Sequence, residues 1–302
     1  MSTITYIPEM KILFTAIRVK QWIKNLIVPI VGIASMGMSN NWNQDLIHLS
    51  IAFFSFCIAS SSIYLINDMV DKKKDQAHPL KRHRPIASGK ISKPFVFTLL
   101  AISLPSSLLL AFQSNIEVAG LLLAYLIINV GYCLKLKNIP QVDIICVASG
   151  FTIRALTGAL AVGQDIDFWV LGTITFSCMA LAIMKRMKEL KQFGNSGETR
   201  VVLKGYTFEA LGKIHDIFIV LSILTTTIYI GNLNIDNPLI KALGLTALSS
   251  IILIFIQKVH QNESGDPTEL FYRNKLLSAV SMLVVVVMLF ALSLDSSSPG
   301  GL

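Results

Sequence analysis

Apolar residues run in long blocks along this chain, separated by shorter polar stretches. A hydrocarbon core about 30 Å thick needs roughly 20 apolar residues per helix. Nine blocks approach or reach that length: 23–38, 46–66, 95–112, 117–134, 142–162, 168–184, 214–231, 239–257 and 276–294. The first is short and interrupted by Pro29 and Gly32, residues that spans tolerate where neighbouring helices re-satisfy the backbone. The pattern predicts an all-α integral membrane protein. Its single domain, 1–295, is a bundle of nine transmembrane helices, followed by a polar, disordered tail at 296–302.

Composition agrees. Of 302 residues, 53% are hydrophobic and 15% charged, and mean hydropathy is +0.63. A soluble globule of this length would need polar residues along every helix face, which this chain does not supply. The net charge of +8 matters less than where the charges lie. Of the 26 Lys and Arg residues, 24 fall in the N-terminal arm and the even-numbered connections, leaving Arg154 within a span and Lys241 just inside another. By the positive-inside rule, the N-terminus and these connections are cytoplasmic. The expected setting is a bacterial inner membrane, with no nucleic-acid partner. Cys57, Cys133, Cys146 and Cys178 sit in apolar stretches without paired spacing, so neither a metal site nor a disulfide framework is expected. Lys11, Arg18, Lys20 and Lys24 precede the first apolar run and no cleavage site follows it, so no signal peptide is expected.

Two connections, 67–94 and 185–213, are long and charged, and loops of that length are usually functional or disordered. The second span runs into Asn67, Asp68, Asp71 and Asp75. On a helix the three aspartates share an arc of about 60°, with Asn67 beside it. Carboxylates so close repel one another unless a cation lies between them. Mg²⁺ takes oxygen ligands, usually one or two carboxylates plus substrate phosphate oxygens. The alternative is a solvated loop whose Asp and Lys residues neutralise one another. Downstream, Lys81, Arg82 and Arg84 could hold further phosphate oxygens or anionic headgroups at the membrane surface.

The pattern Asn67-Asp68-x-x-Asp71-x-x-x-Asp75 at a span end resembles the first aspartate motif of the UbiA superfamily of intramembrane prenyltransferases. Three further stretches resemble its decaprenyl-phosphate phosphoribosyltransferase branch. They are His78-Pro79-x-Lys81-x-x-Arg84-Pro85 continuing to Gly89, Arg18-x-x-Gln21-Trp22-x-Lys24-Asn25, and Asp266-Pro267-x-Glu269. One departure is Val19, where that branch typically has proline. The resemblance implies 5-phosphoribosyl diphosphate as donor, a long polyprenyl phosphate as acceptor, Mg²⁺ as cofactor, and a role in cell-wall biosynthesis. Lys24 would then belong to the substrate site.

The sixth connection separates the branches. Aromatic-acceptor members carry a second acidic pair there, whereas this chain has Lys185, Arg186, Lys188, Glu189 and Lys191, followed by Glu198, Arg200 and Tyr206. One acidic and one basic cluster suit two phosphorylated substrates. The fourth connection and fifth span add Tyr132, Lys135, Lys137, Asp143 and Arg154. Asp143 and Arg154, eleven residues apart, lie on nearly one helix face. They are either a structural ion pair across the bundle or, as the resemblance implies, Asp143 binds ribose hydroxyls while Arg154 holds phosphate or orients Asp143. His215 and His260 receive no role. Homo-oligomerisation is compatible with such a bundle. Two rivals remain: a true prenyltransferase acting on an aromatic or other small acceptor, and a transporter or channel.

Overall fold

The computed structural model describes residues 10–36, 41–194, 200–232 and 244, and among these every regular element is helical. In chain order they are α1 (Met10–Ala16), α2 (Ile27–Ser35), α3 (Trp42–Val70), α4 (Lys72–Ala77), α5 (Lys93–Ser114), α6 (Ile116–Leu134), α7 (Val142–Ala161), α8 (Phe168–Phe193) and α9 (Phe208–Asn232). Four 3-10 segments join them: Val19–Leu26, Lys81–His83, Leu136–Asn138 and Val201–Gly205. Six helices, α3 and α5 to α9, are long and apolar enough to cross a membrane. They match the second to seventh predicted spans.

Local chemistry sets the boundaries. Ser92 caps α5 by accepting from the Phe95 N–H, Asn115 caps α6 from the Val118 N–H, and Asp167 caps α8 from Trp169 and Val170. Asn115 also donates to the Leu160 carbonyl at 2.7 Å, tying the start of α6 to the end of α7.

The first predicted span, 23–38, departs from a single long helix. Arg18 adopts a left-handed conformation (φ 52°, ψ 51°) that ends α1, and residues Val19–Leu26 wind as a 3-10 segment with Lys20 and Lys24 among its apolar positions. The nine-residue α2 that follows carries Pro29 in its first turn, where the missing N–H removes no helical hydrogen bond. The spans predicted at 239–257 and 276–294, the tail, Lys241, His260 and the Asp266–Glu269 motif lie outside the described residues.

α3 and α7 form the centre: 61% of the most apolar stretch of each is buried, against 22–28% for the other spanning helices. Around them, α5, α6 and α9 present Ile102, Leu109, Phe112, Leu123, Ile127, Val220 and Leu224 outward, as lipid-facing helices do. The main core packs Leu49, Ala52, Phe56, Ala59 and Ile63 of α3 against Val118, Leu122 and Tyr125 of α6 and Ile153 of α7. Hydroxyl pairs join the helices of the other side: Thr152 to Thr175, Thr173 to Thr225 and Ser177 to Ser222, at 2.6–2.9 Å.

α2 and α7 approach each other closely through their backbones. A Cβ on Gly158 would lie 2.2 Å from the Val28 carbonyl oxygen, so only glycine allows the crossing. This contact fixes the N-terminal segment, and with it Arg18, against the bundle.

Candidate functional site

The motif residues converge at one end of the bundle. Three pieces of chain meet there: the end of α3 with the second connection, the α6–α7 connection, and the end of α8 with the segment before α9.

The aspartates leave the apolar α3 as its last turn opens. Asp71 ends α3 with non-helical backbone (φ −86°, ψ 4°), and α4 restarts at Lys72, so the three do not project from one continuous helix. Asp68 and Asp75, both buried, face one another across a single nitrogen: Arg84 Nη1 donates to Asp68 Oδ1 at 3.1 Å and to Asp75 Oδ2 at 2.7 Å. Arg18 also donates to Asp68 Oδ1, with its guanidinium stacked 4.6 Å over the Tyr64 ring. Asp71 turns away. Both its oxygens accept from Lys137 Nζ, at 2.7 and 2.8 Å, and Asn67 Oδ1 lies 3.4 Å from the same nitrogen.

In this structure Asp71 is turned to Lys137, and Asp68 and Asp75 are the two carboxylates that stand together. Among the described residues no three His, Cys, Asp or Glu side chains could together hold a metal ion. Asp68 and Asp75, already spaced around one cationic nitrogen, fit the habit of Mg²⁺, which takes one or two carboxylates and completes its shell with water and substrate phosphate.

The second half of the site is built on Asp143, which has no exposed surface in the first turn of α7. Its Oδ2 accepts from Arg186 Nε and its Oδ1 from the Tyr206 hydroxyl, each at 2.5 Å. Both oxygens are engaged, and Asp143 holds Arg186 in place. Arg186 also donates to Glu189 at 2.9 Å, and its remaining terminal nitrogen lies 3.4 Å from the Tyr132 hydroxyl. Arg200 reaches the same hydroxyl at 3.2 Å and pairs with Glu189 at 3.4 Å. Two guanidiniums thus converge on one phenol, a geometry suited to phosphate oxygens.

Lys81 feels the charges of both halves. Burial, then the charge of Arg84, lowers its pKa, and Asp75, Arg200 and Glu189 also act on it. Lys135 ends α6 on the exposed surface, Lys185 is half-buried on α8, and Lys24 lies in the 3-10 segment before α2. Lys185 acts through its charge on Glu189 of the second network.

Arg154 is not paired with Asp143. It lies deeper, 6% exposed, donating to Asn25 Oδ1 at 2.7 Å, the Gly150 carbonyl at 2.6 Å and the Tyr125 hydroxyl at 3.0 Å. Of the two readings left open for these residues, the direct ion pair is not formed here, since each has other partners.

Tyr206, Tyr125 and Asn25 were not singled out for these contacts by the sequence. The usable signal for Tyr206 was a phenol closing a basic connection near an otherwise unpaired Asp143.

The UbiA prenyltransferase family model matches residues 26–281. A decaprenyl-phosphate phosphoribosyltransferase of Mycolicibacterium smegmatis is 36% identical over 199 residues, 65% of this chain and 62% of that protein's length. One of the same name from Corynebacterium glutamicum is 28% identical over 91% of this chain and 85% of its own length. Among solved structures, a UbiA homologue of Archaeoglobus fulgidus bound to GPP and Mg²⁺ superimposes with a TM-score of 0.71 at 18% identity, over 93% of this chain and 99% of that one.

Proposed function

This chain belongs to the UbiA prenyltransferase family, and on that premise we propose that it transfers 5-phosphoribose from 5-phosphoribosyl 1-diphosphate to a polyprenyl phosphate. The observation that carries the reading is the pairing of one acidic with one basic cluster in a single mouth. Asp68 and Asp75 stand on one side, and Arg186 and Arg200 converge on Tyr132 on the other. A metal-bound diphosphate belongs to the first, and a phosphate monoester to the second. The names of the Mycolicibacterium and Corynebacterium relatives support the same choice.

Asp68 and Asp75 would hold Mg²⁺, which supplies charge neutralisation for the departing diphosphate. Arg84, Arg18 and Lys81 stand beside those carboxylates, within reach of the same phosphates. The bond from ribose C1 to the diphosphate oxygen breaks, and its electron pair leaves with the diphosphate. An oxygen of the lipid phosphate, already anionic, forms the new bond to C1, so no general base is required. Fixed cations aimed at the developing negative charge are worth most in a site that excludes water.

The proposal includes nine spans with the N-terminus and mouth on the cytoplasmic side of a bacterial inner membrane, where the sugar diphosphate is soluble and the lipid can slide in between helices. The rival is transfer of an isoprenoid to a small acceptor, supported by the GPP-bound structural neighbour. Against it, the acid of the sixth connection among the described residues, Glu189, is already held by Arg186 and Arg200.

A donor competition with purified protein and Mg²⁺ tests the reading. Labelled phosphoribosyl diphosphate with polyprenyl phosphate is set against labelled prenyl diphosphate with an aromatic acid. Label is expected in lipid only from the first. Product from the second alone would reassign the protein to prenyl transfer.

A further inference from the structure

The short segment between α8 and α9 is attached to the α6–α7 connection by contacts that the reaction itself does not explain. Val202 and Leu203 are buried, and a Cβ on Gly205 would lie 2.3 Å from the Pro140 ring. Tyr206, 6% exposed, accepts from the Gln141 backbone N–H at 2.7 Å and donates to Asp143 Oδ1. Gln141 itself sits at φ 64°, a conformation that is strained for a non-glycine residue and persists only where its surroundings enforce it. The Tyr206 hydroxyl is one such enforcement, because its bond to the Gln141 N–H fixes the residue that begins α7.

We propose that Tyr206 is a positioning residue for the lipid-phosphate acceptor: through Asp143 it fixes the direction of the Arg186 guanidinium, and the Gly205–Pro140 contact holds it in place. The proposal rests on the phosphoribosyl-transfer reading for its substrate, and on the geometry alone for the clasp. Asp143 has two oxygens and two partners. With Oδ1 tied to Tyr206, Oδ2 is left to Arg186 Nε, which turns the guanidinium's terminal nitrogens toward Glu189 and Tyr132. Without the phenol O–H, the carboxylate is free to rotate and take Arg186 with it. Burial and the neighbouring Asp143 push the Tyr206 phenol well above its ordinary range, so it remains a donor at any working pH. The same clasp carries Arg200, six residues upstream, to its place on Tyr132.

The test is Tyr206→Phe, with Gly205→Ala as a second variant, each purified with Mg²⁺ and assayed against both substrates. Loss of one hydrogen bond to a charged group corresponds to about a tenfold effect. Tyr206→Phe is expected to raise KM for the lipid phosphate about tenfold, with kcat and the KM for phosphoribosyl diphosphate within about twofold and an unchanged Tm. A parallel loss in every parameter with a lowered Tm would overturn the positioning role, as would unchanged kinetics. Trypsin cleavage after Arg200 and Lys204 reads the clasp independently of any substrate. Faster cleavage in both variants supports it, and wild-type rates in both overturn it. Should the wild type ignore phosphoribosyl diphosphate altogether, the proposed function fails, and the cleavage rates still decide whether the clasp exists.

Discussion

Arg154 carries a full positive charge inside the bundle, and among the described residues its hydrogen-bond partners are all neutral: an amide oxygen, a backbone carbonyl and a phenol. The rings of Tyr125, Phe151 and Phe56 lie 4.7–5.9 Å from its guanidinium carbon, adding cation–π attraction. Three acceptors in three directions match a planar fork and not an ammonium point charge. Arg154→Lys should therefore destabilise the fold by about 3 kcal/mol, read as a lower unfolding midpoint in detergent; an unchanged midpoint would remove this residue's structural role. Asp68 is the opposite case, a buried carboxylate touched by two guanidiniums. Asp68→Asn keeps its shape and removes its charge, and turnover should fall about a hundredfold or more while Tm changes little. Full activity in that variant would exclude Asp68 from the metal site. Both residues were visible in the sequence as charges at the edge of, or within, apolar runs. Their partners were not, because hydrophobic periodicity reports which face a residue occupies and says nothing about a neighbour 129 positions away in sequence, as Asn25 is from Arg154.

At the scale of elements, hydropathy located six spanning helices to within a few residues at most ends, because water–lipid partition decides where such helices lie. It misjudged polar extensions that stay helical, such as the first turn of α3 from Trp42 and the last turns of α8. It also read 23–38 as one span where a left-handed Arg18 and a 3-10 segment precede a short α2. The α2–α7 crossing is glycine-dependent: Gly158→Ala must push a methyl into the Val28 carbonyl, and the expected result is a clear fall in Tm with loss of the Arg18–Asp68 pair. Wild-type stability in that variant would show the two helices can separate freely. The turn after α4 is pH-sensitive for a different reason. His78 Nδ1 accepts from the Leu80 and Lys81 N–H groups at 3.2 and 3.4 Å, so the turn uses the neutral ring. Burial, then the charge of Lys81, lowers its pKa from 6.5, with Asp75 opposing and Arg84 reinforcing the shift. The folded state thus binds this proton less readily than the unfolded chain. The turn's contribution is intact above about pH 6.5 and declines as pH falls toward the lowered value. Wild-type Tm should drop more between pH 7.5 and 5.5 than that of His78→Gln; equal drops would exclude the ring.

For the molecule as a whole, the strong asymmetry of Lys and Arg along the sequence has a spatial counterpart: the carboxylates and their cations gather at one end of the bundle. A cysteine placed at Lys73, in the second connection, should react with a membrane-impermeant maleimide only in inside-out vesicles. Labelling of intact cells would reverse the proposed orientation. The grouping of charges into one mouth was legible in the sequence as a count. The division into an Arg84-bridged pair, an Asp71–Lys137 pair and an Asp143–Arg186 network was not, since each joins residues brought together only by the packing of α3, α6, α7 and α8.

The buried Arg154 also bears on how the chain is built in the cell. An arginine at the middle of a lone helix opposes membrane insertion by about 3 kcal/mol. Its neutral ligands, Asn25 and Tyr125, both precede it in the sequence, so they have been synthesised by the time α7 leaves the ribosome. The helix can therefore enter the bilayer against earlier segments that already offer acceptors, instead of facing lipid alone. Biogenesis from N-terminus to C-terminus is thereby written into the order of three residues, and a circularly permuted chain that emitted α7 first would lose that help.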